Sequence, residues 1–352
     1  MCSKDGDIFG KPCTQTEIDF YESTSNHTDL ATIIPGFLGT LRLDSMPDLS
    51  SSEDGDSVSI SAQQDATERI IAAAVAGTQA APTEKDTITW VPNGSKKIQA
   101  QQAVMLESSS HGYKRPNILD AKLGVRLWAD DAPLQKRQRF DNISANTTHR
   151  DYGFRIAGMR VYRGSENEDE LNEEDYRIYD KDYGRVDVNN DNVVDAIKRF
   201  VFNQPAGIND NQARAICAAF SREITHIERV LKQKPLRLYS SSLLFVFEGD
   251  GDALSAAIDY NNAEAERIST SKSGERTAHV DRVDSGIAME EDDDYDDFDE
   301  EDEEDAPPKI FSVKLIDFAH ATWVPAEHGP DENTLKGIRS LRDIFKQLSQ
   351  EP

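Results

Sequence analysis

Apolar residues recur along this chain with two different periods. Ile216, Phe220, Ile224, Ile227 and Leu231 repeat every three or four positions and predict a helix with one apolar face. Val193, Val194, Ile197, Phe200 and Val201 predict a second helix, with Asn190 or Asp191 placed to cap its start. Leu335, Ile338, Leu341, Ile344 and Phe345 predict a C-terminal helix opened by Asp331. Residues 154–162, 236–248 and 310–318 instead carry short runs of β-branched and aromatic residues and predict strands. Strands mixed with helices, without a regular βαβ repeat, predict an α+β fold.

The patterning fails where acid accumulates. Residues 290–305 hold 14 acidic side chains in 16 positions, a block that repels itself and buries too little apolar surface to fold. A disordered acidic insertion is therefore expected over about 251–308, and a second flexible insertion over about 44–68. The acidic stretch 166–175 reads as a loop between strands.

Composition narrows the function classes. The 352 residues suffice for one large domain or two lobes. The formal charge is −26, and about −12 without the acidic run, which argues against direct nucleic-acid binding. No apolar run approaches the roughly 20 residues of a membrane span, and the opening residues carry no apolar signal segment. Cys2, Cys13 and Cys217 are scattered, so neither a disulfide framework nor a structural zinc site is expected. The Asn-x-Ser/Thr matches at Asn26, Asn93, Asn142 and Asn146 are then chance, and cytosol or nucleus is the expected compartment.

Three segments can carry chemistry. Pro116 to Gly124 (PNILDAKLG) sets Asp120 and Lys122 two apart, on one side of an extended segment. By itself this also fits a turn with a surface ion pair. Residues 240–249 (SSSLLFVFEG) bring three hydroxyls into an apolar strand, suited to a phosphate or equally to a strand edge. Residues 314–320 (KLIDFAH) place Asp317 at a strand end before an aromatic, similar to the Asp-Phe-Gly context in which protein kinases hold Mg²⁺; a simple turn cap fits as well. There is no P-loop and no GxGxxG.

Taken together, and in this order, these strings resemble the inositol polyphosphate kinase family, with its PxxxDxKxG, SSLL and IDF signatures. The fuller strings PNILDxKLG, SSSLLFxxEGD and LIDFAH are most similar to the fungal multikinases of that family. Similarity also runs through residues 34–39, 153–156, 183–185 and 331–333.

The resemblance implies a two-lobed kinase fold, distantly protein-kinase-like. Residues 1–107 would form the small lobe and 108–352 the large one, with an inositol-phosphate-binding segment at about 125–150. By matching positions, Lys11 is the lysine for ATP phosphates, paired by Glu17. Glu107 is the hinge residue whose backbone meets adenine, although Ser108 and Ser109 depart from the usual next residues. Asp120 would bind ribose. Lys122 would reach the substrate phosphate and the transferring group. Asp317 would hold Mg²⁺, with Ser241 or Ser242 supporting metal and phosphates, and His320 would lie near the inositol ring.

Lys136 and Arg139, three apart in the stretch LQKRQRF, would face the substrate from one side of a helix. Only ten residues precede Lys11, so the hairpin that covers the nucleotide in the family is expected either upstream of this start or not at all. The implied activity is ATP-dependent phosphorylation of inositol 1,4,5-trisphosphate at the 6- and 3-hydroxyls. A different inositol phosphate specificity, or a scaffold acting through the acidic run, is the alternative. The chain is expected to be a monomer of nucleus and cytoplasm. Residues 290–305 could engage basic nuclear proteins.

Overall fold

A small three-stranded sheet and a larger five-stranded sheet divide the polar chemistry of the chain between them. The computed structural model describes residues 3, 5–42, 102–272 and 307–351. The expected insertion at 44–68 and the acidic run 290–305 lie outside the described residues.

The small sheet has the order β1-β3-β2, with both pairs antiparallel. Its strands are β1 (Ile8–Pro12), β2 (Phe37–Arg42) and β3 (Gln102–Glu107). Helix α1 (Gln15–Ser23) follows β1 because the Thr14 side chain accepts from Glu17 N and caps the first turn. The short helix α2 (Thr28–Ala31) comes next. Phe20 of α1 stacks on Phe318 at 4.2 Å, and Tyr21 stacks on Phe37 at 5.4 Å. Helix α1 therefore ties the small sheet to the turn that carries Asp317.

The large sheet is antiparallel throughout, in the order β6-β5-β4-β8-β9. It consists of β4 (Pro116–Leu123), β5 (Phe154–Tyr162), β6 (Tyr176–Tyr179), β8 (Ser242–Glu248) and β9 (Phe311–Ile316). Helices α3 (Leu134–Ala145) and α4 (His149–Tyr152) connect β4 to β5. Helices α5 (Val193–Val201), α6 (Asp210–Leu231) and α8 (Glu332–Leu348) carry the predicted apolar faces.

All five periodic residues of α6 are buried, and Phe220 meets Phe200, Phe245 and Phe345. Helix α6 starts at a capping box between Asn209 and Gln212. Helix α8 starts as expected at Asp331, whose side chain accepts from Asn333 N and Thr334 N.

Three expectations need correction. The segment 236–248 is two strands: β7 (Leu236–Leu238), which pairs with β10 (Ala321–Trp323), and β8. They are separated at Ser240, which adopts φ 59°. Neither Asn190 nor Asp191 caps α5; Asn192 takes that position, without a side-chain cap bond.

The insertion placed at 251–308 opens as helix α7 (Gly251–Lys272), on which Leu254 and Ala257 are buried. Asp250 accepts from Ala253 N at the start of that helix. The polar residues that follow hid this short apolar seam.

The register of the large sheet organises the site. Ile316, Ser242, Lys122 and Arg155 lie directly opposite one another across β9, β8, β4 and β5. Directly opposed residues project from the same face. One end of the sheet thus presents a row of polar side chains on one face, with Asp317 beyond it.

Candidate active site

Asp317 stands where β9 ends, and its backbone takes φ 67°, a conformation costly for most non-glycine residues. That turn swings the carboxylate out between the two sheets. Lys11 Nζ reaches Asp317 Oδ1 at 2.7 Å and Glu17 Oε1 at 2.7 Å. Glu17 is buried, and the same oxygen accepts from Phe318 N at 3.1 Å. One carboxylate therefore holds both the lysine from β1 and the backbone just past Asp317.

From the other side, Lys122 Nζ lies 3.4 Å from Asp317 Oδ2 and donates to Ser240 O at 2.8 Å. The positive φ at Ser240 turns that carbonyl toward the lysine. Burial alone would raise the Asp317 carboxyl, but the ammoniums of Lys122 and Lys11 outweigh it and hold the group below the usual carboxylate range. Burial alone would depress Lys11, but Asp317 and Glu17 raise it. Asp317 and Lys11 are therefore both charged at neutral pH.

Asp120 and Lys122 do share one side of an extended segment. They form no surface ion pair, because Lys122 spends its charge on Asp317. Asp120 is half-buried, and desolvation pushes its carboxyl up, with Lys122 opposing and Asp317 reinforcing the shift. Its Oδ1 has no hydrogen-bond partner, and neither do Ser241 Oγ and Ser242 Oγ. The Ser242 hydroxyl leans toward Asp120 but stays outside good hydrogen-bond geometry. Buried polar atoms without partners are uncommon, and two of them, Asp120 Oδ1 and Ser242 Oγ, belong to the strands that meet at Lys122.

Glu107 closes β3. Its backbone N–H donates to Gly36 O at 2.8 Å, and Ser108 N–H donates to Asp7 O at 2.6 Å. Both N–H groups of this expected hinge are thus already engaged within the fold.

A cavity of about 310 Å³ opens on the other side of Lys122. Its floor is Lys122 and Arg155. One wall is α3, through Lys136, Arg139, Phe140 and Ile143, while Ser240 and His320 stand near the Asp317 end. Lys136 Nζ lies 3.2 Å from His320 Nε2. Burial first, then Lys136, lowers His320, so its ring stays neutral and accepts from the ammonium. The expected helix in 125–150 is present, and its two cations, Lys136 and Arg139, line this cavity.

Two further cations line this cavity, Arg155 from β5 and Arg185. Sequence reasoning noted their strings, FRI and YGR, without a role for either. The cue available was that Arg155, like Arg160, interrupts a largely apolar buried strand.

The Asp331–Asn333 stretch has a positioning role. Asn333 Oδ1 accepts from Val125 N and Arg126 N at 2.8 Å each, and its Nδ2 donates to Arg126 O. Gly124 needs its φ of 95° here, because a Cβ would come within 2.7 Å of Asn333 Nδ2. This clamp fixes how the chain leaves β4 toward the cavity wall.

The comparisons agree with this geometry. The family model described as Inositol polyphosphate kinase matches residues 103–346. The inositol polyphosphate multikinase of Saccharomyces cerevisiae is 31% identical over 277 residues, 75% of this chain and 72% of its own length. That of Schizosaccharomyces pombe is 25% identical over 99% of this chain and 92% of its own. Human inositol hexakisphosphate kinase 1 is 27% identical over 76% of this chain and 57% of its own.

The crystal structure of the Saccharomyces cerevisiae inositol phosphate multikinase with ADP and Mn²⁺ superposes with a TM-score of 0.61 at 25% identity. The match covers 97% of this chain and 99% of that one. A row of matched signature residues across one sheet end, a cation-lined cavity beside it and a family match over most of the chain lead to one conclusion: this chain belongs to the inositol polyphosphate kinase family.

Proposed function

We propose that the chain is an ATP-dependent inositol polyphosphate multikinase that phosphorylates inositol 1,4,5-trisphosphate at the 6- and 3-hydroxyls, giving tetrakis- and pentakisphosphate. One observation carries this reading. The Lys11–Asp317–Lys122 cluster opens onto a cavity lined by cations, and no carboxylate is among the described residues that line it. Such a cavity suits a compact polyanion next to a phosphoryl-transfer centre.

A net charge of −26 makes an unpromising host for a substrate of this kind. Interactions between exposed charges fade beyond about 8 Å at physiological salt, so the local cations set the potential that the ligand meets.

A hard cation takes one or two carboxylates and completes its shell with phosphate oxygens and water. Asp317, ionised and fixed by its turn, fits one such carboxylate. The nearby unpartnered Ser241 and Ser242 hydroxyls fit phosphate oxygens. Bound Mg²⁺ would neutralise charge on the phosphates. Asp120 Oδ1, which has no partner, would accept from a ribose hydroxyl.

Lys11, held by Glu17, would bind the ATP phosphates. Lys122 lies between the nucleotide side and the substrate cavity and would meet the transferring group from both. Lys136, Arg139 and neutral His320 would orient the inositol phosphate. Transfer of this kind asks for alignment and charge neutralisation more than covalent help from the protein.

The test is incubation with Mg²⁺-ATP and inositol 1,4,5-trisphosphate, with products resolved by anion exchange. Sequential tetrakis- and pentakisphosphate, lost in Asp317→Asn, support the reading. Turnover only of inositol hexakisphosphate would move the chain to the other specificity that its relatives include. For residues 290–305 we propose contact with basic nuclear proteins and residence in nucleus and cytoplasm, on the charge of the run alone. Its deletion should abolish such contacts while leaving turnover intact.

A further inference from the structure

Arg155 and Arg185 form the end of the cavity farther from Asp317. Arg155 lies opposite Lys122, one strand further along the sheet from Asp317. It is 4% exposed, and its Nη1 donates to Ile156 O at 2.8 Å and Lys181 O at 3.3 Å. Its Nε is buried without a partner.

Arg185 comes from a single π-helical turn, Tyr183–Asp187. Such turns are rare and concentrate at functional sites. This one is seated against β5 through Gly184, where a Cβ would fall 1.9 Å from Ile156 O. Only glycine permits that approach. The same carbonyl, Ile156 O, accepts from Arg155, so the strand, the turn and both guanidiniums form one assembly. Arg185 has a partial counter-charge in Asp182 at 3.6 Å. Arg155 has none within salt-bridge distance among the described residues. Burial first, and then the neighbouring Arg185, brings the Arg155 guanidinium down to about 10.

Two mutually repelling cations at a cavity end, one with a buried unpartnered N–H, describe a site for a dianion. Guanidinium forks match phosphate oxygens in geometry as well as charge.

We propose that Arg155 and Arg185 are a second phosphate clamp: it takes a ring phosphate remote from the hydroxyl being phosphorylated, and so selects substrates that carry a phosphate at that position. The proposal rests on the inositol polyphosphate reading above. One strand spacing, about 4.8 Å, separates Arg155 from Lys122, which suits phosphates spread over one six-membered ring.

The test uses the full chain and Arg185→Ala. Arg185 is exposed, so its removal should leave Tm unchanged. Inositol 1,4,5-trisphosphate is titrated calorimetrically into both proteins, and steady-state constants are measured in parallel. Arg185→Ala should raise Kd and KM for the trisphosphate about 10- to 100-fold, the range for losing a charge-assisted contact. The KM for ATP should hold, and kcat should change little. Arg185→Lys should recover only part of the loss, having charge without the fork.

Of the 1,4-, 1,5- and 4,5-bisphosphates, one should bind wild type and Arg185→Ala equally, because it lacks the phosphate that the clamp takes. An unchanged Kd for the trisphosphate overturns the clamp. So does equal weakening of all three bisphosphates, which would mean diffuse charge, or absence of trisphosphate binding to wild type. Discriminating binding without turnover would leave the clamp standing and remove the multikinase reading. Turnover with an unchanged Kd in Arg185→Ala would do the reverse.

Discussion

Asp317→Asn tests the centre of the site most directly. Asparagine has the same shape and tolerates φ 67° better than most residues, so the turn after β9 should persist. What changes is charge. Asp317 accepts from Lys11 at 2.7 Å and from Lys122 at 3.4 Å. Hydrogen bonds to charged groups contribute about 1.5–3 kcal/mol each. The Lys122 contact is long, and the carboxylate side chain is 36% exposed, so solvent screening puts the combined loss near the lower end, about 1–2 kcal/mol. For a chain of this size that is a fall in Tm of roughly 1–4 °C.

The folded-state carboxyl is held below its unfolded value. Its stabilisation is therefore present above about pH 4, the unfolded value, and is lost as pH falls through the folded one. The stability gap between wild type and variant should accordingly be full at pH 7 and close below about pH 4. Denaturant titrations of both proteins across that range measure it. Turnover should fall by about 10³-fold or more, some 4 kcal/mol in the barrier, because the group that would hold the cation is gone. A folded Asp317→Asn protein with kcat within tenfold of wild type would refute the assignment of Asp317.

Gly124→Ala meets Asn333 Nδ2 at 2.7 Å in a positive-φ conformation. It should cost about 1–3 kcal/mol by chemical denaturation, and the KM for inositol phosphate should rise while that for ATP holds. His149 is buried, and burial first, then Arg155, pulls it down to about 3; the nearby Gly124 backbone stays outside hydrogen-bond geometry. The unfolded chain binds that proton below about pH 6.5, so stability should drop by about 2 kcal/mol between pH 6.5 and 5, a slope that His149→Gln would lack. Leu254→Ala should cost about 2–4 kcal/mol if α7 is docked as described, and nothing measurable if that segment is free.

Much of this protein was legible in its residues. The faces of α5, α6 and α8, the cap at Asp331 and strand β5 follow from local periodicity and capping chemistry, which depend only on near neighbours. Lys122, Asp317 and Lys136, which the fold brings to one cluster and its adjoining cavity, could be singled out because each lies in a short distinctive string. Helix α7 was missed because its apolar seam is brief and a dense acidic block follows. Ser240 was read as mid-strand because three serines carry no mark of which one turns.

The chain by itself determined which segments become helix or strand, where charge accumulates, and which residues are equipped for phosphoryl transfer. Only the tertiary structure decided how those residues meet. Lys11 and Asp317 are 306 positions apart and 2.7 Å from each other. Arg155 and Arg185 become one feature because Gly184 lets a turn settle on β5. The physical reason is that periodicity, capping and turn preference act over a few residues. Register across a sheet and the approach of a turn to a strand are fixed by packing among segments far apart in the chain, and no local pattern encodes them.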